Sequence, residues 1–177
     1  MNNKLRYSAK ERAHNAKKLK FAGTSFLRQG KFKEAWRHYD RAEKLLPQDP
    51  ALKIISARLM INQFNEYDSA IKKAKKVLEL IPNNRAFVHQ AYTTMGLAYA
   101  KQGKKAKALE MLRKSIVEDF VGFVTTTNID FHLVEEVVKR GWNPELCKEF
   151  IQKACDRAKE HREMEWVDKL EQMLSLM

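Results

Sequence analysis

The chain has 177 residues, 44% of them hydrophobic and 32% charged, with a formal net charge of +12. That balance is expected of a folded soluble protein and excludes a largely disordered one. No stretch approaches the roughly 18 apolar residues of a membrane span, and the first twenty residues hold no apolar secretory core, so the expected compartment is the cytoplasm. Only 6 glycines and 4 prolines interrupt a composition rich in Ala, Leu, Lys and Glu, which predicts an all-α fold.

In chain order, residues 1–7 are expected to be a loose N-terminus. Ser8-Ala9-Lys10-Glu11 has the form of a capping box, so the first helix is predicted from Ala9 to Gln29. From there to Phe120 the chain repeats itself in units of about 16–49, 50–84 and 85–120. Each unit places a small residue in its first helix, Gly23, Ala57 and Gly96, where a second helix can approach closely. Three residues on comes a large side chain, Phe26, Met60 and Tyr99. A turn residue able to take the left-handed conformation follows at Gly30, Asn65 and Gly103. The second helix opens with Ala35, Ala70 and Ala108, and Pro47 and Pro82 close it in the first two units.

Residues 121–128, with Gly122 and three consecutive threonines, read as an extended connector. A helix is predicted over 129–140, capped by Asn128 and closed by Gly141, and another begins at Asn143-Pro144-Glu145 and reaches about Lys159. In 162–177, Trp166, Leu170, Met173 and Met177 form one apolar stripe, predicted to cap the stack, with a dimer contact as the competing use. Residues 129–177 are thus a degenerate fourth helix pair plus a capping helix.

The combined small, aromatic, glycine and alanine pattern over residues 16–120 resembles the tetratricopeptide repeat, whose period is about 34 residues. The resemblance implies a right-handed α-solenoid of antiparallel helix pairs. The first and third units match well. The second is one residue longer and can be read in two registers, one with Arg58 at the small position. The register with Ala57 there places the extra residue in the turn. The third unit begins four residues early, about one helical turn, which lengthens its helix without rotating its faces.

The resemblance further implies a protein-interaction module whose first helices line a concave groove for a peptide or partner surface. Carried over by position, that groove takes Lys17, Lys20, Phe21, Thr24 and Arg28 from the first unit. The second supplies Ile54, Ile55, Arg58, Ile61 and Asn62, and the third Gln90, Thr93, Thr94, Leu97 and Lys101. A cationic end and an apolar middle suit an extended or helical peptide. The competing use for the apolar members is packing against the C-terminal helices. Domains of this family that hold chaperone C-termini use Lys and Asn, then Asn, then Lys and Arg. Here Lys20 alone matches, while Thr24, Ile55 or Ser56, Gln90 and Thr94 occupy the other positions. The layout also resembles secretion chaperones built from three such repeats, although the basic N-terminal half departs from the acidic character expected of them.

Charge is unevenly spread. Residues 1–117 hold 26 Lys and Arg against 9 Asp and Glu, while residues 118–177 hold 8 against 13. This permits an acidic partner or head-to-tail attraction between molecules. The alternative function is binding of RNA or another polyanion through residues 4–37, in which Lys4, Arg6, Lys10, Arg12, Lys17, Lys18 and Lys20 fall before residue 21 and are opposed there only by Glu11, with Tyr7 and Phe21 as nearby aromatics.

No catalytic pattern occurs. The five histidines pair with no other His or Cys at ligand spacing, and there is no phosphate loop or nucleophile elbow. Asp130, Glu135 and Glu136 read as a solvated helix face. Cys147 and Cys155, eight residues apart on one helix, sit roughly 12 Å apart, too far for a disulfide, and fit no zinc pattern. No enzyme activity, metal or cofactor is expected. The oligomeric state is open, with a homodimer among the alternatives.

Overall fold

The computed structural model describes residues 8–177. The N-terminal segment expected to be loose, with Lys4, Arg6 and Tyr7, lies outside the described residues. Among those described, nine α-helices follow one another with no strand: α1 (Ala9–Arg28), α2 (Phe32–Leu45), α3 (Pro50–Leu59), α4 (Tyr67–Leu80), α5 (Arg85–Lys101), α6 (Lys105–Ser115), α7 (His132–Lys139), α8 (Pro144–Glu160) and α9 (Met164–Ser175). Each odd helix packs on the even one after it, and successive pairs stack into a solenoid closed by α9 on α8.

Local chemistry sets the helix ends. Ser8 accepts the Glu11 N–H while the Glu11 carboxylate accepts the Ser8 N–H at 2.7 Å, a complete capping box. Asp49, Asn84 and Asn143 each accept a backbone N–H three residues on, and Pro50 and Pro144 fill first-turn positions that need no donor. The small crossing residues are indispensable to the close approach. Ala35, Ala57, Ala70 and Ala108 are wholly buried. A Cβ on Gly23 would meet the Tyr39 ring at 3.0 Å, and one on Gly96 would fall within the Leu133 side chain and 3.0 Å from Met111 Cβ.

The structure takes the Ala57 register in the second unit, but the extra residue is not in the turn. It widens the last turn of the helix into a π-helix, Met60–Phe64, and the Met60 carbonyl reaches forward to the Glu66 N–H at 3.1 Å. Asn65 then exits in the left-handed conformation at φ 56°.

Beyond α6, which stops at Ser115, one expectation needs correction. A 3-10 turn, Val117–Phe120, then throws the Phe120 ring inward through consecutive positive φ angles at Glu118, Asp119 and Phe120. The helix expected from residue 129 begins at His132, because the hydrogen bonds of Asp130 described below hold its backbone out of helical geometry.

The apolar interior falls into two parts. A small core of Ala16, Ala35, Tyr39, Ala42, Leu52 and Leu59 binds α1 and α2 to α3. A much larger one runs from Ile54 to Leu170 through every helix from α3 to α9, and Trp36 packs at the edge of both. The α9 stripe contributes to the larger core. Leu170 and Val167 are buried, and Trp166, Met173, Leu174 and Met177 are partly so. Cys147 and Cys155 are free and buried, and burial raises the Cys147 thiol to about 11.

Candidate partner-binding site

The inner faces of α1, α3 and α5 carry the residues that sequence reasoning assigns to a groove, and the structure treats the three helices differently. On α1 the face is open. Lys17 and Arg28 are exposed, Lys20 is partly exposed, and Phe21 is 78% exposed. Thr24 is held in place, its hydroxyl 3.0 Å from both the Lys20 carbonyl and the Tyr39 hydroxyl.

On α3 the face is mixed. Asn62 is exposed, Ile55 is half-buried against the small core, and Ile54 and Ile61 are buried. Arg58 is partly exposed and paired with Asp130.

On α5 the face is closed. Thr93, Thr94 and Leu97 are all buried, which corrects their assignment to an open groove. They are covered because α5 packs between α3 and α7, with the 127–131 segment laid along its inner side. Gln90 is half-buried, and exposed Lys101 is tied to Glu136 at 2.8 Å.

The closing element is Asp130, which corrects its reading as part of a solvated face. Its side chain is 7% exposed. One carboxylate oxygen accepts from Arg58 and, at 2.8 Å, from the Thr93 hydroxyl. The other accepts the His132 backbone N–H at 3.1 Å and lies 2.7 Å from His132 Nδ1. Burial alone would raise the Asp130 carboxyl. The bonds from His132, Arg58 and Thr93 outweigh it and hold the group well below the usual carboxylate range. Glu136, also expected in solvent, is largely buried between Lys101 and Arg140, whereas Glu135 is exposed.

Behind Asp130 stands His89. Its Nε2 accepts the Asp130 backbone N–H at 2.7 Å, so Nδ1 carries the proton and donates to the Ser115 carbonyl at 2.7 Å. Phe120 and Phe123 meet the ring edge-on at 5.5 and 5.4 Å. Burial lowers the His89 pKa, the neutral form being the one these partners need. Neither Asp130 nor His89 could be placed here from spacing, because apart from His132 their partners lie between 26 and 72 residues away along the chain.

Beyond the plug the inner face continues as a recess of about 310 Å³ lined by Arg58, Gln90, Asp130, Glu135, Trp166 and Lys169. Trp166 stacks on Phe131 at 5.6 Å, and Lys169 sits 4.7 Å over the Trp166 ring. Among the described residues, no group of three His, Cys, Asp or Glu side chains could hold a metal ion.

No family model matches the chain. A stretch of 103 residues is 33% identical to the Hsp70-Hsp90 organising protein of Plasmodium falciparum (isolate 3D7). It takes in 56% of this chain but 18% of that protein, so the chain spans less than a fifth of its relative's length. Among solved structures, the N-terminal domain of stress-induced protein-1 (STI-1) from C. elegans superposes with a TM-score of 0.55 at 20% identity, covering 72% of this chain and 95% of that one. MamA superposes with a TM-score of 0.57 at 18% identity, covering 88% and 89%. At these identities the structural likenesses speak for the fold.

Proposed function

We propose that this chain, a tetratricopeptide-repeat protein by its repeat pattern and fold, is an adaptor that binds an acidic, extended or helical peptide of a partner protein along the inner face of α1 and α3. One observation carries the reading. The central groove positions of the third unit are closed, with the chain's own Asp130 bound to Thr93 and Arg58, while those of the first unit stay open and cationic and the second unit adds exposed Asn62 and half-buried Ile55. Arg58 and Thr93 already hold a carboxylate there, an internal example of the chemistry that a ligand would extend toward α1. Lys17, Lys20 and Arg28 supply charge, Phe21 and Ile55 apolar contact, and Asn62 a hydrogen-bonding side chain. Gln90 and Lys101 stand at the far rim.

The relative's name points to chaperones. Yet the clamp that the family uses for chaperone C-termini is matched here by Lys20 alone, with Thr94 buried and Ile55 apolar. The expected partner is therefore a protein with an acidic segment of another kind.

Titration with acidic peptides of differing apolar content, followed by fluorescence anisotropy, tests this. Lys20→Glu with Arg28→Glu should weaken binding at least tenfold, and Phe21→Ser should weaken it most for peptides that carry an apolar anchor. Equal binding by the variants would overturn the site. The second reading, a polyanion held by the basic N-terminal region, makes a different prediction. A single-stranded RNA oligomer would bind more tightly than any peptide, with the logarithm of the affinity falling linearly in log salt at a slope set by the phosphates neutralised. A groove that uses apolar contacts as well loses less affinity with salt.

A further inference from the structure

We propose that the leading face of α1 docks the outer face of α9 from a second copy, so that molecules associate head to tail through an interface that adjoins the groove and shares Lys17, Phe21 and Arg28 with it. The repeat register exposes what α1 lacks. Lys18, Phe21 and Ser25 of α1 occupy the positions of Leu52, Ile55 and Leu59 in α3 and of Ala91, Thr94 and Ala98 in α5. Those in α5 are wholly buried, and in α3 Leu52 and Leu59 are buried with Ile55 half-buried, because a preceding helix pair covers them. In α1 no described helix precedes them, and Phe21 stands 78% exposed at the centre of the face. Lys10, His14, Lys17 and Arg28 lie at helical spacing on the same side, all exposed. The single acid of α1, Glu11, is engaged in the capping box.

The other end of the stack has the complementary character. Opposite its buried Val167 and Leu170, α9 presents Met164, Glu165, Asp168, Gln172 and Ser175 at helical spacing, all exposed. Met164, at 61% exposure, is the apolar counterpart of Phe21, and thioether–aromatic contact is favourable. Glu165 and Asp168 are the counterparts of Lys10 and Lys18. A preceding repeat would lie against this face of α1, and α9 is the last described helix of this stack. The opposite charge of the two segments, +17 for residues 1–117 and −5 for 118–177 from the counts above, steers the same pairing. A contact between two different faces does not close on itself, so association should continue past the dimer.

Sedimentation equilibrium of nuclease-treated protein over a hundredfold concentration range tests this. The weight-average mass should climb with concentration without a plateau at twice the chain mass, and should fall toward the monomer in high salt. Lys10→Glu with Lys18→Glu, residues outside the proposed groove, should weaken association at least fivefold, as should Glu165→Lys with Asp168→Lys. Mixing the two variants should restore mass in mixed pairs, which a misfolded variant could not do. A monomer at every concentration, a plateau at the dimer, or association indifferent to both reversals would overturn the proposal. Its failure leaves the peptide titration unaffected, since that is read on monomeric protein at high dilution.

Discussion

The first helix pair and the rest of the stack follow the same repeat pattern but are held differently. The α1–α2 pair rests on a core of six buried apolar residues, an open inner face and a bridge in which Glu43 takes Lys53 at 3.0 Å and Lys73 at 2.7 Å. From α3 onward a continuous core runs to α9, with a buried polar knot at Asp130 and His89 in its concave side. A stack of this kind is stabilised by nearest-neighbour interfaces, so its first member need not melt with the remainder. The difference teaches that the cationic, exposed end is also the weakly anchored one, where a partner can add most to order.

The strongest way to sharpen the comparison is to remove residues 162–177. Fully burying a side chain of the Leu or Met class stabilises by about 1.5–3 kcal/mol. Losing Val167, Leu170 and the partly buried Trp166 and Met173 should therefore cost several kcal/mol, a large share of a typical domain's stability. We expect a lower melting temperature and aggregation. A soluble truncation of unchanged stability would sink the capping role of α9.

Next in size is Asp130→Asn, which keeps the shape and removes the charge that Arg58 faces. Removing one member of a buried pair costs up to about 3–5 kcal/mol, and the partial exposure of Arg58 reduces this to about 2–3 kcal/mol. Urea unfolding followed by circular dichroism should show the loss, and the effect should fall on α3–α9. Since the folded Asp130 carboxyl is held below its ordinary value, its contribution is full above about pH 4 and fades as pH falls. The exposed His132 works in the opposite sense. Its raised pKa gives stability that is complete below about pH 6.5 and lost as pH rises through the folded value.

A pair of glycine substitutions compares the two regions directly. Gly96→Ala drives a methyl into Leu133 and Met111, and overpacking of that kind costs about 1–3 kcal/mol. Gly23→Ala brings a methyl to 3.0 Å from the Tyr39 ring, a milder contact than the one at Gly96. The helix propensity gained, about 1 kcal/mol, offsets part of that cost, so the loss should be the smaller of the two. Equal losses in thermal denaturation would mean that the first pair is as tightly packed as the third.

The smallest expected effect concerns the bridge to the first pair. Burial would raise the Glu43 carboxyl, but the bonds from Lys73 and Lys53 outweigh this and hold it below its usual value. Its contribution, about 1 kcal/mol for a partly buried pair, is therefore present above about pH 4.3 and lost as pH falls through the folded value. Trp36, at the edge of both cores, should report the loosening by fluorescence in a background with Trp142 and Trp166 replaced by Phe. Glu43→Gln should flatten that acid transition.

How much of this was legible in the sequence depended on range. Features set within one turn or one repeat could be read directly. They include the capping box at Ser8, the small residues at helix crossings, the prolines after α2 and α4, and the apolar stripe of α9. The Ala57 register was readable, but the place of the extra residue was not, because a π-turn and a longer loop differ only in hydrogen bonding. The closed half of the groove was hidden for a different reason. Thr93, Thr94 and Leu97 stand at groove positions by repeat count, and their burial depends on the neighbours of α5, among them the long return of 121–131 that brings Asp130 to Thr93. Asp130 likewise looked like a surface acid because Arg58 lies 72 residues away.

The π-helical turn at Met60–Phe64 bears on how such an array tolerates changes in length. An added residue in the middle of a helix would rotate every side chain on one side of it by about 100°. Here the addition is taken up at the helix end, so the phase set by Ala57 is undisturbed and Asn65 still makes the exit. The array thus has one residue of slack, stored in backbone hydrogen bonding rather than in a loop. Deleting Gln63, an exposed residue of the widened turn, should tighten it to an ordinary α-turn without displacing α4. Position in such a stack is indexed by what a side chain touches, and a fixed 34-residue ruler slips by one at this turn.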